Sequence, residues 1–113
     1  MAEKVGPLSG VRAVTCSTAQ AGTVPYMMMA DLGAEVIKVE VPGVGDGSRT
    51  AGELRGEISS FFETNNRGVK SVTLDLKSAE GRKILHRLIE TADIFGQISA
   101  PGPRKKMVLV TKN

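Results

Sequence analysis

The alternation of apolar and polar residues along the chain predicts a series of strands and helices. Short β-branched runs predict four strands, at residues 10–16, 35–41, 70–76 and 92–95. Three helices are predicted: one from a turn at residues 17–23, capped by Ser17 or Thr23, to Leu32, one over residues 58–64, and one from the cap Ser78 to Thr91. This order predicts an α/β fold of Rossmann-like type, in which helices cover a mostly parallel sheet.

The joint between the first helix and the second strand has the clearest pattern. Gly33 stands where the end of a helix needs a residue with positive φ, which glycine adopts without steric penalty. Pro25 suits the first turn of that helix. The apolar side of the helix is predicted to consist of Met27, Met28, Met29, Ala30 and Leu32. The remaining segments are predicted to be a glycine-rich loop at residues 42–48, an irregular stretch at 49–57 and a turn at 65–68.

Length and composition indicate one small domain. The chain has 113 residues, of which 41% are hydrophobic and 24% charged, as in ordinary globular proteins. No apolar run is long enough to cross a bilayer, and the first four residues lack the apolar segment of a leader peptide. A single cysteine, Cys16, excludes a disulfide within the chain. We therefore expect a cytoplasmic location and no membrane partner.

The net charge of +3 comes from one end of the chain. Residues 96–113 hold four basic side chains and no acid, so the rest has eleven basic side chains against twelve acidic ones. Aromatic residues make up only 4% of the chain, and none is interleaved with a basic cluster. The sequence therefore predicts no nucleic-acid partner.

Local motifs alone predict no catalytic residue and no metal site. Gly22 follows the first strand without the other glycines of a dinucleotide fingerprint, and the glycines of residues 43–47 lack the lysine of a P-loop. We expect His86 to be solvated and Cys16 to be a small core residue. Because ligands bind at the carboxyl ends of parallel strands, residues 18–22, 41–46 and 74–77 are expected around one crevice.

Several motifs, in the same order along the chain, resemble family III CoA-transferases, the CaiB/BaiF group. They are Pro-Leu-Ser-Gly-Val-Arg from Pro7, Ala-Asp-Leu-Gly-Ala-Glu-Val-Ile-Lys-Val-Glu from Ala30, Pro-Gly-Val-Gly-Asp from Pro42, Asn-Arg-Gly from Asn66, Lys-Ser-Val-Thr-Leu-Asp-Leu-Lys from Lys70, Glu80-Gly81, and Leu-Ile-Glu-Thr-Ala-Asp from Leu88. The resemblance implies transfer of coenzyme A between an acyl-CoA and a carboxylic acid, through an aspartate that carries the acyl group covalently. It also implies interlocked homodimers and no metal.

The resemblance also implies which residues bind CoA. It places Ala19, Gln20 and Ala21 against CoA, with Gln20 near the thioester, and it places Leu74 and Lys77 at the adenine and phosphate end. Without it, Gln20 would be a turn-stabilising amide and Lys77 a solvated residue before a helix cap. A lysine at that position suits CoA because CoA carries several phosphates.

Two positions depart from the family pattern. Val41 stands where many members have an arginine, which removes one expected CoA contact, and Val69 stands where a lysine is common. The family's catalytic aspartate lies beyond residue 113, so we assign no catalytic residue in this chain. Residues 1–95 are therefore expected to be the N-terminal part of the family's large domain, with an incomplete sheet.

Residues 96–113 are expected to be a basic tail outside the family pattern. Members carry Asn-Phe-Arg-Pro-Gly where this chain has Ile-Ser-Ala-Pro-Gly from Ile98, and restoring one base after the Gln97 codon permits the family residues. We interpret the tail as frameshifted, with an internal deletion as the alternative. Residues 107–110 then need not form a native strand, although their apolar pattern could still pair as one.

Three functions remain open from the sequence. The chain is a CoA-transferase segment that is inactive alone, a member of the α-methylacyl-CoA racemase branch, or a non-catalytic CoA-binding module. The downstream aspartate and histidine region separates the first two, and a CoA titration tests the third. Detectable acyl transfer by the purified chain would refute the expected inactivity. The acyl donor and acceptor are not determined by these residues.

Overall fold

The computed structural model describes residues 5–97 and the pair Val110–Thr111. Its elements, in chain order, are β1 (Arg12–Thr15), α1 (Ala19–Asp31), β2 (Glu35–Glu40), a 3-10 helix (Gly47–Thr50), β3 (Leu54–Arg55), β4 (Ile58–Ser59), α2 (Ser60–Asn66), β5 (Lys70–Thr73), α3 (Ala79–Thr91), β6 (Ile94–Gly96) and β7 (Val110–Thr111). Within the described ranges, no helix has the length and apolar character needed to cross a bilayer.

Five strands form one sheet in the order β5-β2-β1-β6-β7. The first four run parallel to one another, with Val14 of β1 opposite Ile37 of β2 and Phe95 of β6. Strand β7 pairs antiparallel with β6, placing Val110 opposite Phe95. The predicted α/β fold with a mostly parallel sheet is therefore confirmed. The pairing that the apolar pattern of residues 107–110 left open is present for Val110, whereas residues 107–109 lie outside the described part.

Each face of the sheet has its own apolar core, because consecutive residues of a strand point to opposite faces. Ala13 and Val14 are neighbours in β1 and are both fully buried, one in each core. The core under α1 contains Ala13, Tyr26, Ala30, Ala34 and Val36, and the core under α3 contains Val14, Val39, Leu74, Ala92 and Phe95. The sheet is thus covered by helices on both faces.

Helix α1 begins between its two predicted caps, Ser17 and Thr23. It starts at Ala19 with Thr18 as its N-cap, so Pro25 lies in the second turn and the predicted turn at residues 17–23 is largely helical. Small residues and a proline favour a turn locally, but Gly22 and Thr23 are buried against the rest of the fold in the helical form. Tertiary packing therefore outweighs the local preference. The backbone of Ala19 adopts a positive φ of 61° at this start.

The end of α1 confirms one prediction and corrects another. Gly33 has a φ of 102°, as a helix C-terminus with glycine requires. The apolar side of the helix differs from the prediction, since Met28 and Leu32 are exposed while Tyr26 is buried. The hydroxyl of Tyr26 lies against Gly96 of β6, where a Cβ would stand 1.7 Å from the hydroxyl oxygen. This close approach requires glycine at position 96.

The segment between β2 and β5 holds more structure than predicted. The stretch expected to be irregular contains the end of the 3-10 helix and strand β3. The hairpin partner of β3 is β4, which takes the first two residues of the helix predicted over 58–64. Helix α2 begins at Ser60 and extends to Asn66, because the Ser59 side chain caps it by accepting from Phe62 N at 3.1 Å. Two residues of the turn predicted at 65–68 therefore belong to the helix.

Helix α3 confirms its predicted cap and most of its apolar side. The Ser78 hydroxyl accepts from Gly81 N at 3.0 Å, and three of the four predicted apolar residues pack on the core. The fourth, Ile84, is exposed. A Cβ at Gly81 would stand 1.9 Å from the Asp75 carbonyl oxygen, so glycine lets the helix start close to the end of β5. That approach brings residues 75–77 to the carboxyl ends of the strands.

Candidate functional site

A crevice of about 750 Å³ opens at the carboxyl ends of β1, β2, β5 and β6. All three segments that the sequence places around one crevice contribute to its wall, which confirms that expectation. The lining residues are Cys16, Thr18, Val39, Glu40, Val41, Pro42, Gly45, Asp46, Asp75, Leu76, Lys77 and Gln97. A concave space of this volume suits a ligand of cofactor size.

The five residues expected to bind CoA occupy different positions relative to this crevice. Lys77 lines it and is exposed. Ala19, Gln20 and Ala21 are exposed in the first turn of α1, directly after the lining residue Thr18. The side chain of Leu74 is buried in the core under α3 and does not line the crevice. The structure thus brings four of the five to the crevice or beside it.

Four lining residues lie outside the three predicted segments, namely Cys16, Val39, Glu40 and Gln97. Glu40 is the last residue of β2, and Gln97 directly follows β6. Both obey the same rule as the predicted segments, because they stand where parallel strands end. A more consistent use of the predicted strand ends would have included them.

A buried ion pair, Lys38 with Asp46, lies at the crevice wall. The Lys38 ammonium, on β2, donates to Asp46 Oδ2 and also to Asn66 Oδ1 at 2.9 Å. The Lys38 side chain is 2% exposed and that of Asp46 is fully buried. The other oxygen, Oδ1 of Asp46, accepts from Ser48 N at 2.9 Å and Ser48 Oγ at 2.8 Å. Every oxygen of this carboxylate is therefore occupied, as a buried charge requires.

A second buried carboxylate, Glu40, lies beside the first. Its Oε1 accepts from Asp46 N at 2.8 Å and from Arg49 Nε at 2.9 Å. Its Oε2 accepts from Arg49 Nη2 at 2.8 Å and from the Ser71 hydroxyl. The Arg49 guanidinium also lies 4.0 Å from the ring centroid of Phe62, a cation–π contact. The end of β2 is thus held to the following loop through Asp46 N, to β5 through Ser71 and to α2 through the contact of Arg49 with Phe62.

These contacts change the acidity of both carboxyl groups. The hydrogen bonds from Arg49, opposed by burial and helped by Ser71, lower the pKa of Glu40 to about 2. Burial alone would raise the pKa of Asp46, but the hydrogen bonds from Lys38 and Ser48 more than offset it and leave that pKa below its ordinary value. Both groups are therefore anions at neutral pH, and their charges are neutralised within the protein.

Cys16 and His86 have the environments expected from the sequence. Cys16 packs against the core under α3 at the crevice wall, and burial raises the pKa of its thiol to about 11. Little thiolate therefore exists at neutral pH, which is unfavourable for a nucleophile. His86 is exposed on α3. Within residues 5–97, no cluster of three histidine, cysteine, aspartate or glutamate side chains is arranged to hold a metal ion.

The family model described as CoA-transferase family III matches residues 8–113. The chain belongs to this family. Family membership agrees with a crevice at the carboxyl ends of a parallel sheet, which is lined by Lys77 and by Thr18, the N-cap of α1. The matched range includes residues 96–113, and their assignment to a tail outside the family pattern stays a prediction.

Individual members of CoA-transferase family III show the same similarity. The chain is 39% identical over 106 residues to the human succinyl-CoA:glutarate CoA-transferase, covering 93% of this chain and 24% of that protein. It is 35% identical over 101 residues to the acetyl-CoA:oxalate CoA-transferase of Acetobacter aceti, covering 89% of this chain and 26% of that protein. The chain therefore spans about a quarter of the length of these relatives.

A solved structure of a CaiB/BaiF family protein from Brucella suis has the same fold in this region. The TM-score is 0.74 at 38% sequence identity, covering 81% of this chain and 25% of the other. The fold of the described residues is therefore that of the corresponding quarter of a family member.

Proposed function

We propose that this chain forms the CoA-binding N-terminal part of an enzyme that moves CoA between an acyl-CoA and a carboxylic acid. One observation carries the proposal: a chain of CoA-transferase family III has a crevice of cofactor size at the carboxyl ends of its strands. Lys77 gives this crevice an exposed cation. An ammonium group there would pair with a CoA phosphate.

The first turn of α1 is proposed to hold the thioester end of the ligand. Ala19, Gln20 and Ala21 are exposed beside Thr18, so ligand atoms can reach them without rearrangement of the fold. Leu74 is proposed to support the adenine end from within the core under α3, because its side chain is buried there, three residues before Lys77. The absence of an arginine at Val41 leaves the exposed cation of Lys77 with a larger share of the phosphate binding.

The carboxylate that carries the acyl group is proposed to come from a later part of the whole protein. Glu40 and Asp46 line the crevice, but each of their oxygens already accepts a hydrogen bond from a protein donor. Their pKa values are also lowered, which reduces their nucleophilicity. These two carboxylates therefore serve the architecture of the site.

The binding proposal is tested by titrating CoA into the 113-residue chain in a calorimeter. We expect saturable binding, and we expect Lys77→Ala to weaken it about threefold to tenfold, the range for one partly solvated charge contact. Lys83→Ala is the matched control, because Lys83 is an exposed lysine on α3 that does not line the crevice. Equal losses in both variants would argue for diffuse charge attraction, and no saturable binding would remove the proposal.

The transfer reaction is tested with a whole family protein that contains this segment. We expect CoA to move from a supplied acyl-CoA to a free carboxylate, and we expect no such transfer by the 113-residue chain. Deuterium exchange beside the thioester carbonyl without CoA transfer would instead identify the racemase branch. Binding of CoA without either reaction would identify a non-catalytic module.

Two further properties are proposed for the whole protein. Its subunits form the interlocked homodimer that the family resemblance implies, which light scattering of the whole protein would measure as twice the subunit mass. The protein works in the cytoplasm, in keeping with the single cysteine in this chain. Fractionation of cells that express a tagged whole protein would test the location.

A further inference from the structure

The Asp46 carboxylate joins three separate elements. It pairs with Lys38 of β2, it accepts two hydrogen bonds from Ser48 at the 3-10 helix, and its Oδ1 accepts a long hydrogen bond of 3.4 Å from Ala19 N in α1. Only 1% of Asp46 is exposed. A charge buried this completely holds its neighbours in place, because any movement would leave a charged or polar group unpaired.

The carboxylate is itself fixed from behind. Lys38 also donates to Asn66 Oδ1 at 2.9 Å and lies 5.4 Å from the ring centroid of Phe62. The Asn66 amide in turn donates to the Phe62 carbonyl at 2.9 Å within α2. The position of Asp46 is therefore set by β2 and α2, which belong to the body of the fold.

Asp46 connects two segments at the crevice wall: the start of α1, through Ala19 N, and its own loop at residues 41–46. Thr18 and the loop at residues 41–46 both line that wall, and Ala19 directly follows Thr18. The backbone of Ala19 has a left-handed conformation, which costs about 1–2 kcal/mol for a residue with a Cβ. Such a conformation persists only where neighbouring contacts hold it, and the Asp46 carboxylate provides such a contact.

We propose that Asp46 is a positioning residue that holds the start of α1 and the loop at residues 41–46 in register, so that the crevice is formed before its ligand arrives. The inference rests on the proposed function only for the identity of that ligand. A purely stabilising role for the Lys38–Asp46 pair would not require the link to Ala19. The amide of Ala19 is therefore the reporter that separates the two roles.

The test compares two double variants that lack the same ion pair. Lys38→Met with Asp46→Ala removes both charges and the acceptor for Ala19, whereas Lys38→Met with Asp46→Asn removes both charges but keeps an acceptor oxygen. Neither leaves an unpaired buried charge, so both are expected to fold. Amide hydrogen exchange is measured by NMR on the chain without ligand, with the amide of Val14 in β1 as an internal reference.

We expect the Ala19 amide to exchange at least about tenfold faster in the alanine double variant than in the asparagine one, with Val14 unchanged between them. Equal rates for Ala19 in the two variants would overturn the proposal. The native chain gives an independent measurement that needs no variant. An Ala19 amide that exchanges there as fast as an unprotected amide would also overturn it.

Titration with CoA then links the positioning to the site. The alanine double variant is expected to bind CoA about fivefold or more weakly than the asparagine double variant, because its crevice has to be ordered on binding. If the two double variants bind CoA equally although the Ala19 amide exchanges faster in the alanine variant, the proposed role of Asp46 in forming the crevice is overturned. A native chain that fails to bind CoA would contradict the proposed function alone, and the exchange rates would still decide whether Asp46 positions α1.

Discussion

The charged side chains at the two ends of strand β2 differ in how far they are exposed to water. At its amino end, Glu35 is a third exposed and forms ion pairs with Arg12 at 2.6 Å and with Lys70 at 3.3 Å, both on neighbouring strands. At its carboxyl end, Lys38 and Glu40 are almost completely buried and are paired with groups from the following loop and 3-10 helix. One strand of six residues thus carries both kinds of ion pair.

The difference shows that burial, and not the pairing itself, decides what an ion pair does. The pairs of Glu35 remain in contact with water, which screens their attraction and lets each partner find another. The Lys38–Asp46 pair and the Glu40 carboxylate are shielded from water, although the Arg49 partner of Glu40 is 41% exposed, so they dictate where the crevice loop lies. The amino end of the sheet therefore tolerates change, whereas the carboxyl end sets the site.

The largest expected effect follows from breaking one buried pair. Lys38→Met leaves the Asp46 charge buried and unpaired, which should lower the free energy of unfolding by about 3–5 kcal/mol. Urea unfolding followed by circular dichroism measures the loss. Lys70→Met is the matched control at the amino end, where the lost pair is exposed. Similar losses in the two variants would contradict the contrast between the two ends.

The second-largest effect is expected from acid, which should lower the free energy of unfolding by protonating Glu40 at the carboxyl end of β2. The pKa of Glu40 is about 2 in the fold against an ordinary value of 4.5, so the folded protein binds this proton less readily than the unfolded chain. The stability that Glu40 contributes is fully present above pH 4.5 and is lost as the pH falls from 4.5 to 2. The loss amounts to roughly 3 kcal/mol.

Urea unfolding at a series of pH values between 6 and 2 would follow this loss. The variant Glu40→Gln should have a shallower dependence of unfolding free energy on pH, because it no longer titrates. A variant with the unchanged pH dependence would show that other carboxyl groups cause the acid sensitivity. Asp46 contributes in the same direction, because its pKa is also lowered.

The smallest effect is expected at the amino end. Glu35→Gln should lower the free energy of unfolding by less than about 1 kcal/mol, because its two partners remain solvated. Raising the salt concentration should reduce even this difference, since exposed pairs are screened. Unfolding of both proteins at low and high salt would measure it. A loss as large as that of Lys38→Met would remove the distinction drawn between the two ends.

The sequence predicts the sheet and the location of the crevice because both depend on local patterns. The β-branched run after Gly33 predicts a buried strand, and the rule for parallel strands then brings three distant segments to one edge. The family motifs add the residues expected to bind CoA. None of these steps needs knowledge of which side chains meet.

The buried ion pairs could not be predicted in the same way. Lys38 and Glu40 point to the same face of β2 as Val36, and an isolated charged residue is rarely buried. Their burial depends on partners that lie 8 and 9 positions further along the chain, and on Asn66, which lies 28 positions away. The choice between the two predicted caps of α1 was open for a similar reason, because the start of the helix depends on the packing of Gly22 and Thr23.

The contact between Tyr26 and Gly96 couples two positions that are 70 apart in the chain. An alanine at position 96 would collide with the tyrosine hydroxyl, so the buried Tyr26 ring has to move unless a smaller residue replaces it first. The order in which the two substitutions arise therefore matters. An evolutionary path through the smaller residue at position 26 avoids the collision, whereas the reverse path passes through a protein in which the tyrosine has to be displaced.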